Sequence, residues 1–440
     1  MKPDALFEKH IKEVVERTKS ALAKSPYDSA IFHSGTPLFY FNDDIEMPFR
    51  ATAHFKRFIP FDAPHHIVVV SRNAPRALFI ETIPEDYWEA YVPVEEKWSG
   101  QFEYKSAPTP DKAWEEAKHF FGAKAAFVGD NLSKIRATAF GIGESDMNPE
   151  TLIKELNESR AVKTDYEIEC IRGANERAGE GHRAAKKAFD AGMSECNIHL
   201  TFLTAVQETE SCLPYPTIVC LNEKSSILHY QHKRNDVESG ATFLIDAGVS
   251  EHGYASDITR SYANDSAHPV FRSLITDVET LQKKLCGLVK PGAEFIELHH
   301  ATHLGIAEIL KKNGITRVDG EESIRAGITR AFMPHGLGHM LGLQVHDVGG
   351  SSDEGFQHGL RDLYPNVRTN RKLIERNVTT VEPGIYFIPI LLNPLRAGEH
   401  KALLDWTLID KLIPMGGVRI EDNLVVTITG NTNLTREHLP

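Results

Sequence analysis

ATFLIDAGVSEHGYASDITRSY, Ala241 to Tyr262, decides how the second half of this chain folds. Phe243, Leu244 and Ile245 form an apolar run that ends on Asp246, Glu251-His252-Gly253 supplies turn chemistry, and Tyr254 to Tyr262 alternates polar and apolar residues. That pattern predicts a β-hairpin. On its second strand Ala255, Asp257, Thr259 and Ser261 share a face. An antiparallel partner brings Asp257 toward Asp246, because cross-strand neighbours hold their Cβ atoms roughly 5 Å apart. A carboxylate at the end of an apolar run costs several kcal/mol if buried without a partner. Each of these acids therefore asks for a counter-charge.

Three later stretches repeat the theme: MPHGLGHMLGLQVHD (Met333 to Asp347), TTVEPGIYF (Thr379 to Phe387) and GGVRIEDNLVV (Gly416 to Val426). Any one such acid, taken alone, is most often a capped or salt-bridged structural residue. Asp246, Asp257, Glu382 and Glu421, with His339 among glycines between the second and third, point instead to a shared cation site. Four carboxylates and one imidazole make a hard-oxygen set, unlike the cysteine-rich sets of structural zinc. Two divalent ions would balance the four negative side chains. Oxygen-rich ligation favours Mn²⁺, with Co²⁺ or Zn²⁺ able to take the same positions. Paired ions can bridge a water as hydroxide and polarise a carbonyl, which is the chemistry of peptide or ester hydrolysis.

At 440 residues the chain exceeds the usual size of one domain, and two are expected. A net charge of −12 argues against nucleic acid as a partner, since phosphate binding needs a basic face. The five cysteines, Cys170, Cys196, Cys212, Cys220 and Cys286, show no CxxC spacing, so neither a disulfide framework nor a zinc cluster is expected. A reducing cytoplasm is the simpler home. Met1 to Ser25 reads as an amphipathic helix rather than a signal peptide. No apolar run approaches the ~20 residues that a membrane span requires. GxGxxG, GKS/T and HExxH are absent, which sets aside phosphate loops and the common single-zinc protease helix.

The first part mixes strand candidates, His66 to Val70, Ala77 to Ile80 and Ala125 to Val128, with a helical stretch from Asp111 to Phe121. Polar sequence around Met147 to Asp165 marks a boundary, giving an amino-terminal α/β domain over 1–158 and a second domain over 159–440. The second domain opens on a helix with apolar positions from Ile168 to Phe189. Helical patterns cover Val270 to Val289 and Ile296 to Asn313, and strands are expected at Val378 to Val381, Gly384 to Ile388 and Val418 to Val426. The class is α/β, in the α+β sense.

The order Asp, Asp, His, Glu, Glu in these contexts resembles the pita-bread metallopeptidases, the family of methionine aminopeptidase, aminopeptidase P and prolidase. HGLGH, QVHD, TVEPGIYF and RIEDN most resemble the prolidase (Xaa-Pro dipeptidase) branch, in particular the bacterial type also studied as organophosphorus acid anhydrolase. FHSG (Phe32 to Gly35) and NDD (Asn42 to Asp44) extend the likeness into the amino-terminal part. The resemblance implies a creatinase-like amino-terminal domain before a pita-bread catalytic domain. It implies Asp246, Asp257, His339, Glu382 and Glu421 as ligands of two metal ions, with Asp257 bridging. Glu382 would also shuttle a proton to the leaving nitrogen, His346 would stabilise the oxyanion and His229 would line the pocket. Arg368 and Arg419 would meet the substrate carboxylate or support the site, and His335, Tyr215 and Asp44 complete the substrate side. Asp44 would reach in from the other subunit of a homodimer. For His229 and His346 taken alone, a satisfied core histidine is the ordinary reading. His335 packs the pocket wall as readily as it touches substrate.

The implied activity is cleavage of dipeptides with carboxyl-terminal proline, with phosphotriester hydrolysis as a side activity. Two alternatives stay open: an aminopeptidase P-type enzyme acting on longer peptides, and a non-catalytic peptide-binding module of the same fold.

Overall fold

The computed structural model describes residues 3–86, 88, 90–236, 240–352, 359–364 and 367–440. They form two compact units, Met1–Cys170 and Ile171–Pro440, and the division falls inside the long helix Asp165–Asp190.

The amino-terminal unit is built on one five-stranded mixed sheet in the order β4-β3-β2-β1-β5. Its strands are β1 (Ser29–His33), β2 (Ile67–Ser71), β3 (Leu78–Thr82), β4 (Glu103–Ala107) and β5 (Ala125–Val128). The sequence pattern marks β2, β3 and β5. It passes over β1, buried along its whole length, because a short run with no polar alternate carries no period. It also passes over β4, whose first residues are exposed. Helix Pro110–Lys118 starts where Thr109 caps it, the hydroxyl accepting from the Lys112 N–H, and lays Ala113, Trp114 and Ala117 on the sheet. Helix Phe7–Ala23 buries Phe7, Ile11, Val14, Val15 and Leu22, matching the amphipathic pattern; Met1 and Lys2 lie outside the described residues.

The carboxy-terminal unit contains the predicted hairpin. Strand β6 (Ile218–Leu221) pairs with β7 (Thr242–Asp246), which pairs antiparallel with β10 (Thr259–Ala263). Beyond them β8 (Ser250–Glu251) and β9 (Tyr254–Ala255) continue the same hairpin to its tip. There His252 and Gly253 both hold positive φ, 49° and 85°, the signature of a two-residue hairpin turn that splays neither strand.

The remaining strands are β11 (Val378–Val381), β12 (Gly384–Tyr386), β13 (Gly417–Arg419), β14 (Asp422–Val426) and β15 (Asn431–Asn433). β11 pairs with β14, β12 with β13, and β15 lies on the far side of β14. An isolated bridge between Thr259 and Glu421 ties this set to β10. Helices Pro269–Leu288 and Phe295–Lys312 pack over it, burying Leu274, Val278 and Ile306 with Ile385, Val418 and Leu424. They stop just before Pro291-Gly292 and Asn313-Gly314, as the break residues predict. A second core, with Ala178, Phe202, Phe243 and Ile245, lies between helix Asp165–Asp190 and the other sheet.

Candidate metal centre

Every expected carboxylate ligand sits where a strand stops. Asp246 is the last residue of β7, and Asp257 is the middle residue of a three-residue interruption, Ser256 to Ile258, between β9 and β10. The sequence pattern places Asp257 inside a continuous strand; instead its backbone pairs with a side chain. Asn423 Oδ1 accepts the Asp257 N–H at 2.9 Å and Asn423 Nδ2 donates to the Asp257 carbonyl. The hairpin register survives the interruption, because Ala247 N–H reaches the Ile258 carbonyl and Ser256 N–H reaches the Val249 carbonyl. Thr259 is the direct partner of Asp246, so Asp257 lies diagonally across from it.

Glu382 and Glu421 repeat the device. Val381 faces Asp422 and Gly384 faces Arg419, so the next residues inward, Glu382 and Glu421, oppose each other at the gap between the two strand pairs. His339 comes from a segment bridged to β11. Its N–H donates to Thr380 Oγ1, and Thr380 N–H returns to the His339 carbonyl. Gly338 makes that approach feasible, since a Cβ there would lie 2.2 Å from the Thr380 carbonyl oxygen.

The five side chains converge. His339 Nδ1 lies 3.0 Å from the Met340 carbonyl, which leaves Nε2 facing Asp257 Oδ2 at 3.4 Å and Glu382 Oε1 at 3.7 Å. One donor atom each from Asp257, His339 and Glu421 fall within 4.8 Å of one another. Asp246 joins through the Tyr215 hydroxyl, 2.9 Å from Asp246 Oδ1 and 2.6 Å from Asp257 Oδ1.

Charge is unbalanced here. Burial, helped by Asp257 and Asp246 and opposed by His339 and Arg419, raises the Glu382 carboxyl to about 7. Burial and then Asp257 hold Glu421 well above the ordinary carboxylate range, and burial raises Asp246 as well despite Arg419. For His339, burial opposes the charged form, but Asp257 and Glu382 outweigh it and the pKa rises. Four carboxylates face one close guanidinium, and Glu421 Oε1 is buried with no hydrogen-bond partner. An orphaned buried carboxylate oxygen amid like charges calls for a cation as its partner. The donor set fits divalent metal.

Around the cluster lies a cleft of about 100 Å³, lined by the five residues and by Leu228, His229, His335, His346, Arg368 and Arg419. His346 stands edge-on to His339, ring centroids 4.5 Å apart. Burial, then His339, pushes its imidazole down to about 3. His335 Nε2 lies 2.8 Å from the Tyr386 hydroxyl and its Nδ1 lies 3.7 Å from Glu382 Oε2; burial, then Arg419, lowers it to about 3. His229 and Arg368 are exposed on the cleft wall. Arg419 is 4% exposed and fully engaged, with Asp246 Oδ2 at 2.7 Å, the Tyr386 hydroxyl at 2.9 Å and Thr259 Oγ1 at 3.2 Å. That geometry makes it a support for Asp246. Tyr215 grips two acids and is not among the cleft-lining residues. Asp44 lies exposed in the amino-terminal unit, in a turn closed by the Phe39 and Glu46 bridge.

Three residues escape sequence reasoning. Thr259 donates to Glu421 Oε2 at 2.7 Å, Asn423 clamps the Asp257 backbone, and Tyr386 joins His335 to Arg419. All three stand within the quoted motifs, but neutral side chains there read as strand-formers until the pairing is known.

The chain matches Metallopeptidase family M24 over residues 169–428 and Xaa-Pro dipeptidase, N-terminal domain, over residues 5–157. It is 38% identical over 442 residues to an Xaa-Pro dipeptidase of Proteus mirabilis, covering 98% of each chain. An Xaa-Pro dipeptidase of Shewanella baltica is 40% identical over 437 residues, covering 98% of this chain and 97% of its own. Among solved structures, proline aminopeptidase P II from Yersinia pestis superposes with a TM-score of 0.75 at 25% identity, covering 97% and 96%. Escherichia coli aminopeptidase P, in its His361Ala form, gives 0.77 at 23%, covering 97% of this chain and 95% of its own. Fold and site together define a metal-dependent hydrolase of the pita-bread class. The chain belongs to metallopeptidase family M24.

Proposed function

We propose that this protein is a prolidase, hydrolysing dipeptides with carboxyl-terminal proline with two divalent ions held by Asp246, Asp257, His339, Glu382 and Glu421. The carrying observation is the buried Asp257, His339 and Glu421 cluster with its unpartnered Glu421 Oε1, in a chain collinear with Xaa-Pro dipeptidases. When bound, the ions supply Lewis-acid polarisation and an activated water. Mn²⁺ suits the oxygen-rich donors, with Co²⁺ and Zn²⁺ as substitutes.

The chain's own residues do the rest. Glu382, at the cleft edge of the cluster, takes the proton of the attacking water and delivers it to the proline nitrogen, which has no hydrogen of its own in the bond. His346 faces the developing oxyanion beside His339. An Xaa-Pro bond offers no N–H to a strand-like binding edge, so recognition falls on the free termini. Arg368 presents a guanidinium fork to the substrate carboxylate, and His229 and His335 form the wall. Tyr215 and Arg419 hold Asp246 and Asp257 in place.

Assays on Ala-Pro and Ala-Pro-Ala test the reading. Cleavage of Ala-Pro with little turnover of the tripeptide is expected; cleavage of the tripeptide alone would reassign the chain to aminopeptidase P chemistry. A phosphotriester, whose P=O can be polarised similarly, is a secondary substrate class. A homodimer, with Asp44 serving the other subunit's cleft, and a cytoplasmic home complete the proposal. Support for the latter comes from the five cysteines, which form no disulfide among the described residues. No described helix is long and apolar enough to cross a membrane.

A further inference from the structure

The segment that carries Leu228 and His229 into the cleft, residues 222–234, has little regular structure beyond a single 3-10 turn, Asn222–Ser226. One buried carboxylate gathers its two ends. Glu195, fully buried at the start of helix Glu195–Val206, accepts the Leu221 N–H on Oε1 at 2.9 Å, at the segment's entry. On Oε2 it accepts the Arg234 N–H at 2.9 Å and the Tyr230 hydroxyl at 2.9 Å, near the exit. The Arg234 guanidinium closes the ring, giving Nε to Oε2 at 3.1 Å and Nη2 to Oε1 at 2.8 Å, and a further bond to the Leu221 carbonyl at 3.1 Å. Arg234 also reaches Glu223 at 3.2 Å. Burial alone would raise the Glu195 carboxyl, but Arg234 and the backbone donors hold it below its ordinary range.

A loop whose two ends meet on one ionised carboxylate has few ways to move its middle. Between the clasped ends stand the cleft-lining Leu228 and His229. We infer that Glu195 and Arg234 form an ionic clasp whose job is to set the position of His229 against the substrate, so that both are positioning residues for dipeptide binding. The inference rests on the prolidase reading, in which His229 faces substrate. It places control of substrate affinity in a charge pair that touches neither metal ligand nor substrate. Lysine in place of Arg234 keeps the charge, which spares Glu195 an unpaired burial, but loses the two-pronged grip.

Michaelis parameters on Leu-Pro with the metal-loaded full chain test this. Arg234→Lys is expected to raise KM about fivefold, the effect of one well-placed hydrogen bond, with kcat, metal content and Tm close to wild type. Tyr230→Phe, which removes only the hydroxyl to Glu195, is expected to move KM in the same direction by less. His229→Ala should raise KM, and adding Arg234→Lys to it should raise KM no further. Unchanged KM in Arg234→Lys beside a raised KM in His229→Ala would overturn the clasp and leave the prolidase reading standing. So would full additivity of the two, or a loss of kcat, metal and Tm together. Unchanged KM in His229→Ala would overturn the substrate-facing role and the clasp with it.

Discussion

At the scale of the residue, the site is an exercise in placing like charges together and leaving one oxygen of Glu421 without a partner. Asp257 stands at the centre, within reach of His339, Tyr215 and the donor atoms of Glu421. Asp257→Ala is expected to abolish both divalent-ion binding and turnover; retention of full activity in a metal-quantified sample would remove Asp257 from the proposed ligand set. Thr259 offers a finer probe, because its hydroxyl fixes Glu421 Oε2 and leaves Oε1 as the open donor. Thr259→Val should weaken ion affinity by about 10–100-fold in a direct metal titration, with Thr259→Ser restoring most of it. The four carboxylate candidates stand out in the sequence because acids abutting apolar runs are conspicuous, and His339 stands out by the glycines before it. Arg419, Thr259 and Asn423 are less so: their work depends on partners far away in the chain, such as Asp246 and Asp257.

At the scale of the element, two strand pairings do the assembling, and each is interrupted where it delivers its acids. The alternation of Tyr254 to Tyr262 reveals the hairpin and the His252-Gly253 turn. It does not reveal the break at Asp257, because that break is made by Asn423 from another strand. Gly248 shows how tight the hairpin is: a Cβ there would stand 1.9 Å from the Ser256 carbonyl oxygen, a backbone atom that cannot step aside. Gly248→Ala should therefore cost about 1–3 kcal/mol or more in denaturant unfolding and lower metal affinity as Asp257 shifts. A stable, fully metallated Gly248→Ala protein would contradict the idea that this crossing sets the distance between the two aspartates.

At the scale of the whole molecule, the amino-terminal unit carries its own acid sensitivity. Burial holds the imidazoles of His33 and His66 down to about 3 and that of His10 to about 4, so they stay neutral in the fold. In the unfolded chain they take up protons near 6.5. Stability is therefore complete above about pH 6.5 and falls as pH drops toward the folded values, by on the order of 2 kcal/mol per residue at pH 5. Glu167 adds to this lower down. Burial opposes its ionisation, but Arg57 and His10 bring it to about 2, so its contribution is lost as pH falls from about 4.5 toward 2. Thermal unfolding at pH 7.5 and pH 5 should show a clear drop in Tm, and equal values would show that these histidines are not buried as neutral species. Two-domain organisation was readable from length and from the change in pattern after Met147, whereas the buried histidines were not, since a histidine's neighbours are known only from the fold. In the proposed reaction, dipeptide cleavage depends on two cations in the carboxylate cluster. Metal-stripped protein titrated with Mn²⁺, with bound metal counted while Leu-Pro hydrolysis is followed, tests it most directly. Activity should be absent at the start and reach its plateau at about two ions per chain. Full activity in the stripped protein, or a plateau reached with no ion bound by Asp257, His339 and Glu421, would contradict it.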